Sequence, residues 1–140
     1  MRALSSAIDI WHDVMANLRQ VHLIPSELLE ALRVDGYVLR PGDLGENILT
    51  VGLDLEALPL GTILKLGDEA TVELTGLRTP CILIDRFKPA LKRKMLVDEP
   101  GRPRFRCGVM GVVRLSGRVA IADAIDVQLP PKPLKSLLAL

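Results

Sequence analysis

The sequence predicts a mostly β fold with accessory helices, arranged as a small barrel over about residues 21–129. Between residues 36 and 80, glycine or proline recurs every few positions and separates short segments. In residues 70–75 polar and apolar side chains alternate, as they do in a strand with one buried face. Many short strands with regular turns are typical of barrels and sandwiches.

The first part of the chain carries the helical signals. Apolar residues recur at helical spacing, which predicts an amphipathic helix over residues 3–16. These residues are Leu4, Ile8, Trp11, Met15 and Leu18. Residues 19–24 alternate polar and apolar side chains and predict a short strand. A second helix is predicted over residues 26–35, where a proline precedes the first turn and a glycine follows the last.

The rest of the chain is predicted as strands and turns. The predicted strands cover residues 62–66, 70–75, 82–84, 109–115 and 124–129. Ser116 and Gly117 signal a hairpin after residue 115. We expect one or two helical turns over residues 88–96, a loop over 98–101 and an irregular surface tail from Pro130.

Composition excludes several classes of function. The 140 residues fit one domain with a substantial core. The formal net charge is +1 and only four residues are aromatic, so neither nucleic acid nor a membrane surface is an expected partner. No apolar run approaches the roughly 20 residues that a membrane-spanning helix needs. With two cysteines and no secretory signal pattern, we expect a cytoplasmic protein with reduced thiols.

Cys81 is the strongest candidate for chemistry, because the sequence lacks the common zinc, phosphate-loop and hydrolase motifs. It follows a proline and precedes a short apolar run, with Arg78 and Arg86 nearby. Neighbouring cations lower the pKa of a thiol and favour the thiolate. The alternative is a small buried residue, since free cysteines are often buried. Cys107 lies in a glycine-rich apolar strand, which indicates a packing role.

A second group of candidates belongs to the glycine-rich loop at residues 41–47. Glu46 and Asn47 end this loop, and they could form a turn or a polar cradle for an oxygen-rich ligand. Three basic side chains could line the same region or could each be surface residues, namely Arg19, His22 and Arg40.

Several stretches in a fixed order resemble one known family. They are PGDLGEN at 41–47, GLDL at 52–55, LPLGT at 58–62, VELT at 72–75, RTPC at 78–81, GVMGVV at 108–113 and DAIDV at 123–127. This order closely resembles the MOSC domain, the module named for the C-terminal part of molybdenum-cofactor sulfurases. The likeness covers about residues 19 to 129, and the ordered run from glycine loop to cysteine is more specific than any short motif within it.

The resemblance implies a MOSC-type β-barrel that binds the molybdenum cofactor (molybdopterin). It implies that Cys81 projects into a pocket below the glycine loop and serves as sulfur carrier or molybdenum ligand. A thiolate suits both roles, because it can hold persulfide sulfur and is a soft ligand. A pterin phosphate would need cations or backbone N–H groups around it. The cofactor-binding candidates are therefore Glu46, Asn47, Arg40, Arg19, His22 and Arg78.

The N-terminus departs from the family pattern. Family members usually begin with a strand that carries a Gly-Asp-His or Gly-Asp-Arg segment, whereas residues 1–18 here are predicted as a divergent helix. A single domain is expected, with the barrel over 19–129 and a proline-rich tail over 130–140. Part of the barrel wall and of the pocket would then be missing. Because an open edge invites pairing, a homodimer or coverage by the N-terminal helix could protect it.

Three functions stay open at this point. The chain could bind the molybdenum cofactor or carry sulfur on Cys81, with a sulfur donor as its partner. It could be a molybdenum-dependent oxidoreductase that reduces N-hydroxylated compounds. Because the sequence has no flavin motif and no iron–sulfur cysteine cluster, electrons would come from a separate reductase. It could also be a cofactor-free β domain that retains only the fold.

Overall fold

The computed structural model describes residues 2–4, 8–10, 20–79, 96–99 and 102–140. These residues form eleven strands, one α-helix and a short 3-10 helix at Leu55–Ala57. The helix α1 is Ser26–Val34. The strands are β1 Arg2–Leu4, β2 Ile8–Ile10, β3 Val21–Pro25, β4 Ile48–Val51, β5 Ile63–Leu66, β6 Ala70–Leu77, β7 Leu96–Glu99, β8 Arg102–Phe105, β9 Val109–Leu115, β10 Gly117–Val119 and β11 Ala124–Gln128.

Seven strands close into a barrel in the order β1-β11-β5-β6-β9-β3-β4, and β4 pairs back with β1. Most neighbouring pairs are antiparallel, but β3 and β4 run parallel. Parallel neighbours need a long crossover connection. Here the connection contains α1 and the glycine-rich loop, so the topology places both at one side of the β3–β4 pair.

Two apolar clusters hold these elements together. β6 alternates buried and half-buried residues along its length, as predicted for a strand with one face in the core. The barrel core contains Leu23, Ile48, Leu64, Leu66, Val72, Leu74, Val109, Val113, Ile125 and Leu137, among others. A second cluster lies under α1, where Leu28 and Leu32 share one helix face. Cys107 is part of this second cluster.

The predicted N-terminal helix is wrong, because the described residues of that segment are the strands β1 and β2. β1 pairs with β4 on one side and with β11 on the other, which closes the barrel. The strand partners of Arg2–Leu4 lie far along the chain, so their pairing overrides the helical spacing of the local apolar residues. The prediction that part of the barrel wall is missing is therefore also wrong. Dimerisation loses its argument from an open edge and stays a prediction.

The mostly β barrel, the helix over 26–35 and the strands predicted at 62–66, 70–75, 109–115 and 124–129 are confirmed. The predicted hairpin at Ser116 and Gly117 is wrong, because β10 pairs with β2 rather than with β9. The predicted loop over 98–101 is wrong in its first half, where Asp98 and Glu99 belong to the β7–β8 pair. Of the helical turns predicted over 88–96, Leu96 begins β7 and the other residues lie outside the described part, as does the strand at 82–84.

The tail after residue 130 has no strand of its own, as expected, but it does not simply cover the surface. Leu137 is buried in the barrel core, and only 5% of it is exposed. Isolated bridges join Pro59 to Ser136 and Leu77 to Ala139. The tail is therefore attached to the barrel near the C-terminal end of β6.

Candidate functional site

The sequence-predicted site residues fall into two groups. Cys81 and Arg19 lie outside the described residues. Of the others, three come together: His22, Glu46 and Arg78. Asn47 bonds to the backbone of His22. Arg40 has an exposed side chain on the rim of the glycine loop.

The glycine-rich loop is held in place by its own carboxylates. The Gly42 N–H donates to Glu46 Oε1, and the Arg40 N–H donates to Asp43 Oδ2 at 2.8 Å. Gly42 and Gly45 have φ values of +89° and +80°, a conformation that favours glycine. These turns bring Glu46 inward, where only 9% of the residue is exposed.

Asn47 extends the pairing of β3 with β4 by one residue. Its N–H donates to the His22 carbonyl at 2.8 Å, and the His22 N–H donates to Asn47 Oδ1 at 2.8 Å. The regular register begins at the next pair, Leu23 and Ile48. Asn47 therefore fixes the end of the glycine loop on β3, which is a structural reason for an asparagine here.

His22 is buried and its imidazole points to the segment before β9. Nε2 lies 2.9 Å from the Cys107 carbonyl oxygen. Because a carbonyl can only accept, Nε2 carries the proton and donates to it. Arg78 Nη1 lies 3.4 Å from the same nitrogen, but both groups are then donors, so this is a close approach and not a hydrogen bond.

Arg78 places its guanidinium directly below the glycine loop. Nη1 donates to the Leu44 carbonyl, and Nη2 lies so close to Gly45 that a side chain there would contact it at 3.6 Å. The backbone N–H of Arg78 donates to the Gly108 carbonyl at 3.1 Å. Arg78 thus connects the exit of β6 with the loop and with the start of β9.

Cys107 belongs to the same region, although sequence reasoning assigned it to packing. It is a fully buried free thiol. Burial raises its pKa from 9.0 to about 11, the nearby Arg78 opposes this rise, and the carboxylates of Glu56 and Glu46 add to it. The expected packing role is therefore correct, but its contact with Arg78 was missed. The sequence carries no local signal for that contact, because Arg78 and Cys107 lie 29 positions apart.

We call His22, Glu46, Arg78 and Cys107 the polar cluster. It contains one buried polar atom that stands out, because Glu46 Oε2 has no hydrogen-bond partner within the described structure. A buried acceptor without a partner costs free energy. Such an atom is also the kind of group that a ligand N–H or a bound water can satisfy.

A cavity of about 460 Å³ lies beside the cluster and not within it. Its lining residues are Pro25, Glu27, Gly52, Leu53, Asp54, Glu56 and Arg106. Glu56 joins the two regions, because its Oε1 accepts from the Gly108 N–H at 3.2 Å. None of the described candidates from the sequence lines this cavity, so a pocket shared by Glu46, Asn47 and Cys81 stays a prediction.

The described residues lack two further features. They contain no group of three or more histidine, cysteine or acidic side chains that could hold a metal ion. Their helices also lack the combined length and apolar character of a membrane-crossing helix.

The barrel is similar to several solved structures. YiiM from Geobacillus stearothermophilus matches 96% of this chain with 77% of its own, at a TM-score of 0.69 and 18% identity. YiiM from Escherichia coli matches 96% of this chain with 73% of its own, at a TM-score of 0.70 and 16% identity. At these identities the likeness shows a shared fold.

In sequence, the chain is similar to a protein named "Reductase" from Gibberella moniliformis (strain M3125 / FGSC 7600), at 33% identity over 100 residues. The match covers 69% of this chain and 17% of that protein, so the chain spans about a sixth of that relative. A family model described as the MOSC domain matches residues 13–126, which is most of the sequence. The chain therefore belongs to the MOSC domain family.

Proposed function

We propose that this chain is a molybdenum-cofactor-binding and sulfur-carrying module in which the Cys81 thiolate is the metal ligand or the sulfur carrier. One observation carries the proposal. Three candidate side chains from separate segments, His22, Glu46 and Arg78, converge below the glycine loop. Arg78 stands three positions before Cys81 in the sequence, so the same exit from β6 leads to both residues.

The described donor set fits a pterin that carries a phosphate. Arg78 supplies a guanidinium, the side chain best suited to a phosphate group. Glu46 Oε2 supplies a buried acceptor that lacks a partner in the described structure, and a pterin ring offers N–H donors to such an atom. Cys81, which lies outside the described residues, would add a thiolate, a soft ligand for the metal.

Each residue would then have a distinct task. Arg78 would hold the phosphate by charge while its contact with the Leu44 carbonyl keeps the loop closed. Glu46 would orient the ring, and Asn47 would hold the loop on β3. Arg19, Arg40 and His22 are the further cofactor-binding candidates. When bound, the cofactor would supply two-electron redox chemistry at its metal.

In sulfur transfer the chain would act without the metal. The Cys81 thiolate would attack the outer sulfur of a donor persulfide, forming a new S–S bond while the donor cysteine leaves as a thiolate. The number of S–S bonds is conserved, so this step needs no external oxidant or reductant. The partner is therefore a protein that presents a persulfide.

The second candidate is a molybdenum-dependent oxidoreductase that reduces N-hydroxylated compounds. The observation in its favour is the likeness to the protein named "Reductase", of which this chain spans about a sixth. The electron donor for this chain would lie outside the present sequence. Activity with an added donor reductase would separate this function from sulfur transfer.

The proposal can be tested by analysing protein purified from a molybdenum-replete host. We expect molybdenum, oxidised pterin or a persulfide on the wild-type chain, and loss of all three in Cys81→Ser with an unchanged circular dichroism spectrum. Cys107→Ala is the matched control, because it removes the other thiol without burying a hydroxyl, and it should retain what the wild-type chain carries. Absence of metal, pterin and persulfide from the wild type would leave the third alternative, a β domain that retains only the fold.

The two thiols offer an independent test. Cys81 should react with a thiol probe faster than Cys107, because burial raises the pKa of Cys107 to about 11 and leaves little thiolate at neutral pH. Equal or reversed rates, together with a clear loss of stability in Cys81→Ser, would make Cys81 a packing residue and contradict the proposal.

A further inference from the structure

The C-terminal residues 135–140, here called the strap, lie beside the exit of β6 and are joined to it by one isolated bridge, between Leu77 and Ala139. β5 pairs with β6 as far as Glu73, and the Leu74 N–H and C=O bond with the two residues before β5, Thr62 and Gly61. Beyond that point the strap takes over. The Leu77 N–H donates to the Leu138 carbonyl at 2.8 Å, and the Leu140 N–H donates to the Leu77 carbonyl at 2.9 Å.

The strap is fixed at both ends. The Leu60 N–H donates to the Lys135 carbonyl at 2.7 Å, and Leu137 is buried in the barrel core. At the other end the Thr79 hydroxyl donates to the Leu140 carbonyl at 3.2 Å. A short terminal segment is usually poorly held unless its backbone and side chains are attached in this way.

Gly76 shows how closely the strap approaches β6. A Cβ at this position would lie 2.6 Å from Leu140 Cδ1 and 2.7 Å from the Leu138 carbonyl oxygen. Such distances are too short for real carbon contacts, so one side would have to move. Gly76 does not have a positive φ, so its backbone conformation does not require glycine. The glycine is needed because it leaves room for the strap.

Arg78 lies between the two residues that the strap holds. Leu77 bonds to the strap through both of its backbone groups, and Thr79 bonds to it through its hydroxyl. Arg78 itself faces the other way and donates its N–H to the Gly108 carbonyl on the β9 side. The exit of β6 is thus held between β9 and the strap at three consecutive residues.

From this geometry we infer that the strap is a positioning element for the polar cluster. It fixes the backbone on both sides of Arg78, so that the guanidinium stays below the glycine loop and over the Cys107 thiol. Release of the strap opens the cluster without unfolding the barrel. This inference goes beyond the proposed function, because it concerns Arg78 and Cys107 whether or not a cofactor binds.

The test compares the full chain with a chain that ends at Leu137, which removes both strap bonds to Leu77 and keeps the buried leucine. We expect the Cys107 reaction rate with a thiol probe, measured in a Cys81→Ser background, to rise at least about tenfold through local opening. The amide exchange rate of Arg78 should rise similarly, although its own acceptor, Gly108, is untouched. Failure of the molybdenum proposal would leave both expectations unchanged.

Two controls separate positioning from general destabilisation. Leu138→Ala shortens an exposed side chain and keeps the main-chain bonds, so neither rate should change. Ile125→Val weakens the barrel core away from the strap. Denaturant is added until the free energy of unfolding of this variant equals that of the shortened chain. If both rates rise equally in Ile125→Val under those conditions, or stay unchanged in the shortened chain, the inference is wrong.

Gly76→Ala tests the same inference without shortening the chain. In the full chain it should displace the strap and raise both rates, while in the shortened chain it should add almost nothing, because its two clashing groups are gone. Should the shortened chain fail to fold, the rates in full-length Gly76→Ala decide. An equal effect of Gly76→Ala in both chains, or unchanged rates in the full-length variant, would overturn the inference.

Discussion

The barrel core and the polar cluster lie side by side, yet they are built on different physical grounds. The core consists of fully buried aliphatic side chains such as Leu64, Val72 and Leu74, supplied by strands that pair in regular register. The polar cluster consists of a carboxylate, a guanidinium, an imidazole and a thiol, which meet from four separate segments. The core thus stabilises the fold, while the cluster gathers polar groups at one place.

The free energies of the two regions differ accordingly. Burying a leucine or valine side chain contributes about 1.5–3 kcal/mol. A hydrogen bond such as those of Arg78 contributes only about 0.5–1.5 kcal/mol net, or up to roughly 3 when one partner is charged. Losing one partner of a buried polar pair costs more than the pair gains, so the cluster is sensitive to single changes even though it adds little stability.

The largest expected effect is in the core. Leu74→Ala should lower the free energy of unfolding by about 2–5 kcal/mol, because it removes buried methyl groups and leaves a cavity. Urea denaturation monitored by circular dichroism measures this loss. Leu115→Ala on the neighbouring strand is the control, since that side chain is mostly exposed and should change stability by less than about 0.5 kcal/mol. Equal losses in the two variants would contradict the description of the core.

The next effect belongs to the cluster and depends on pH. Burial raises the pKa of Cys107 from 9.0 to about 11, so between these values the unfolded chain loses the thiol proton first. The thiol's contribution to stability is complete below pH 9 and is lost as pH rises toward 11, by roughly 1.4 kcal/mol per pH unit and on the order of 2–3 kcal/mol in total.

Cys107→Ala removes this titration and leaves all other groups in place. The stability of the wild type relative to Cys107→Ala should therefore fall between pH 8 and pH 10.5, as measured by urea denaturation at each pH. A constant difference across this range would mean that the thiol is not held in its neutral form by burial.

The same contrast explains which parts of the structure could be predicted from the sequence. The alternation in β6 is a local pattern, because each residue faces either the core or the outside, and it predicts the strand directly. The N-terminal strand β1 could not be predicted in this way. Its pairing with β4 and β11 is decided by distant segments, and the local apolar spacing indicated a helix.

The candidate site could be predicted as a set of residues but not as an arrangement. The residue pattern and the family likeness together selected His22, Glu46 and Arg78, and the structure brings these three together. No local pattern reports that Arg78 reaches the carbonyl of Leu44, or that the imidazole reaches the carbonyl of Cys107. These contacts join residues 34 and 85 positions apart.

Asn47 lies where the glycine loop of the polar cluster joins the barrel strand β3. Asn47→Ala should lower the free energy of unfolding by about 1–2 kcal/mol, because the His22 N–H loses its acceptor at a partly buried site. Asn47→Asp keeps an oxygen in the same place and is the matched control, with a smaller expected loss. Thermal denaturation of both variants measures the difference, and a larger loss in the aspartate variant would show that the Oδ1 acceptor is not what matters.

The smallest expected effect concerns a charged group outside the cluster. Glu73 on β6 and Arg114 on β9 form an ion pair at 2.6 Å on the barrel surface, with side chains 31% and 53% exposed. Water screens such a pair, so Glu73→Gln should cost less than about 1 kcal/mol and the loss should vanish in about 1 M salt.

A double-mutant cycle with Arg114→Gln, measured at low and high salt, isolates the pair from other effects of each substitution. Arg78 differs because its guanidinium is partly buried and donates to the Leu44 carbonyl. A coupling between Glu73 and Arg114 that exceeds 1 kcal/mol and persists at high salt would mean that the barrel surface holds charge as tightly as the cluster does.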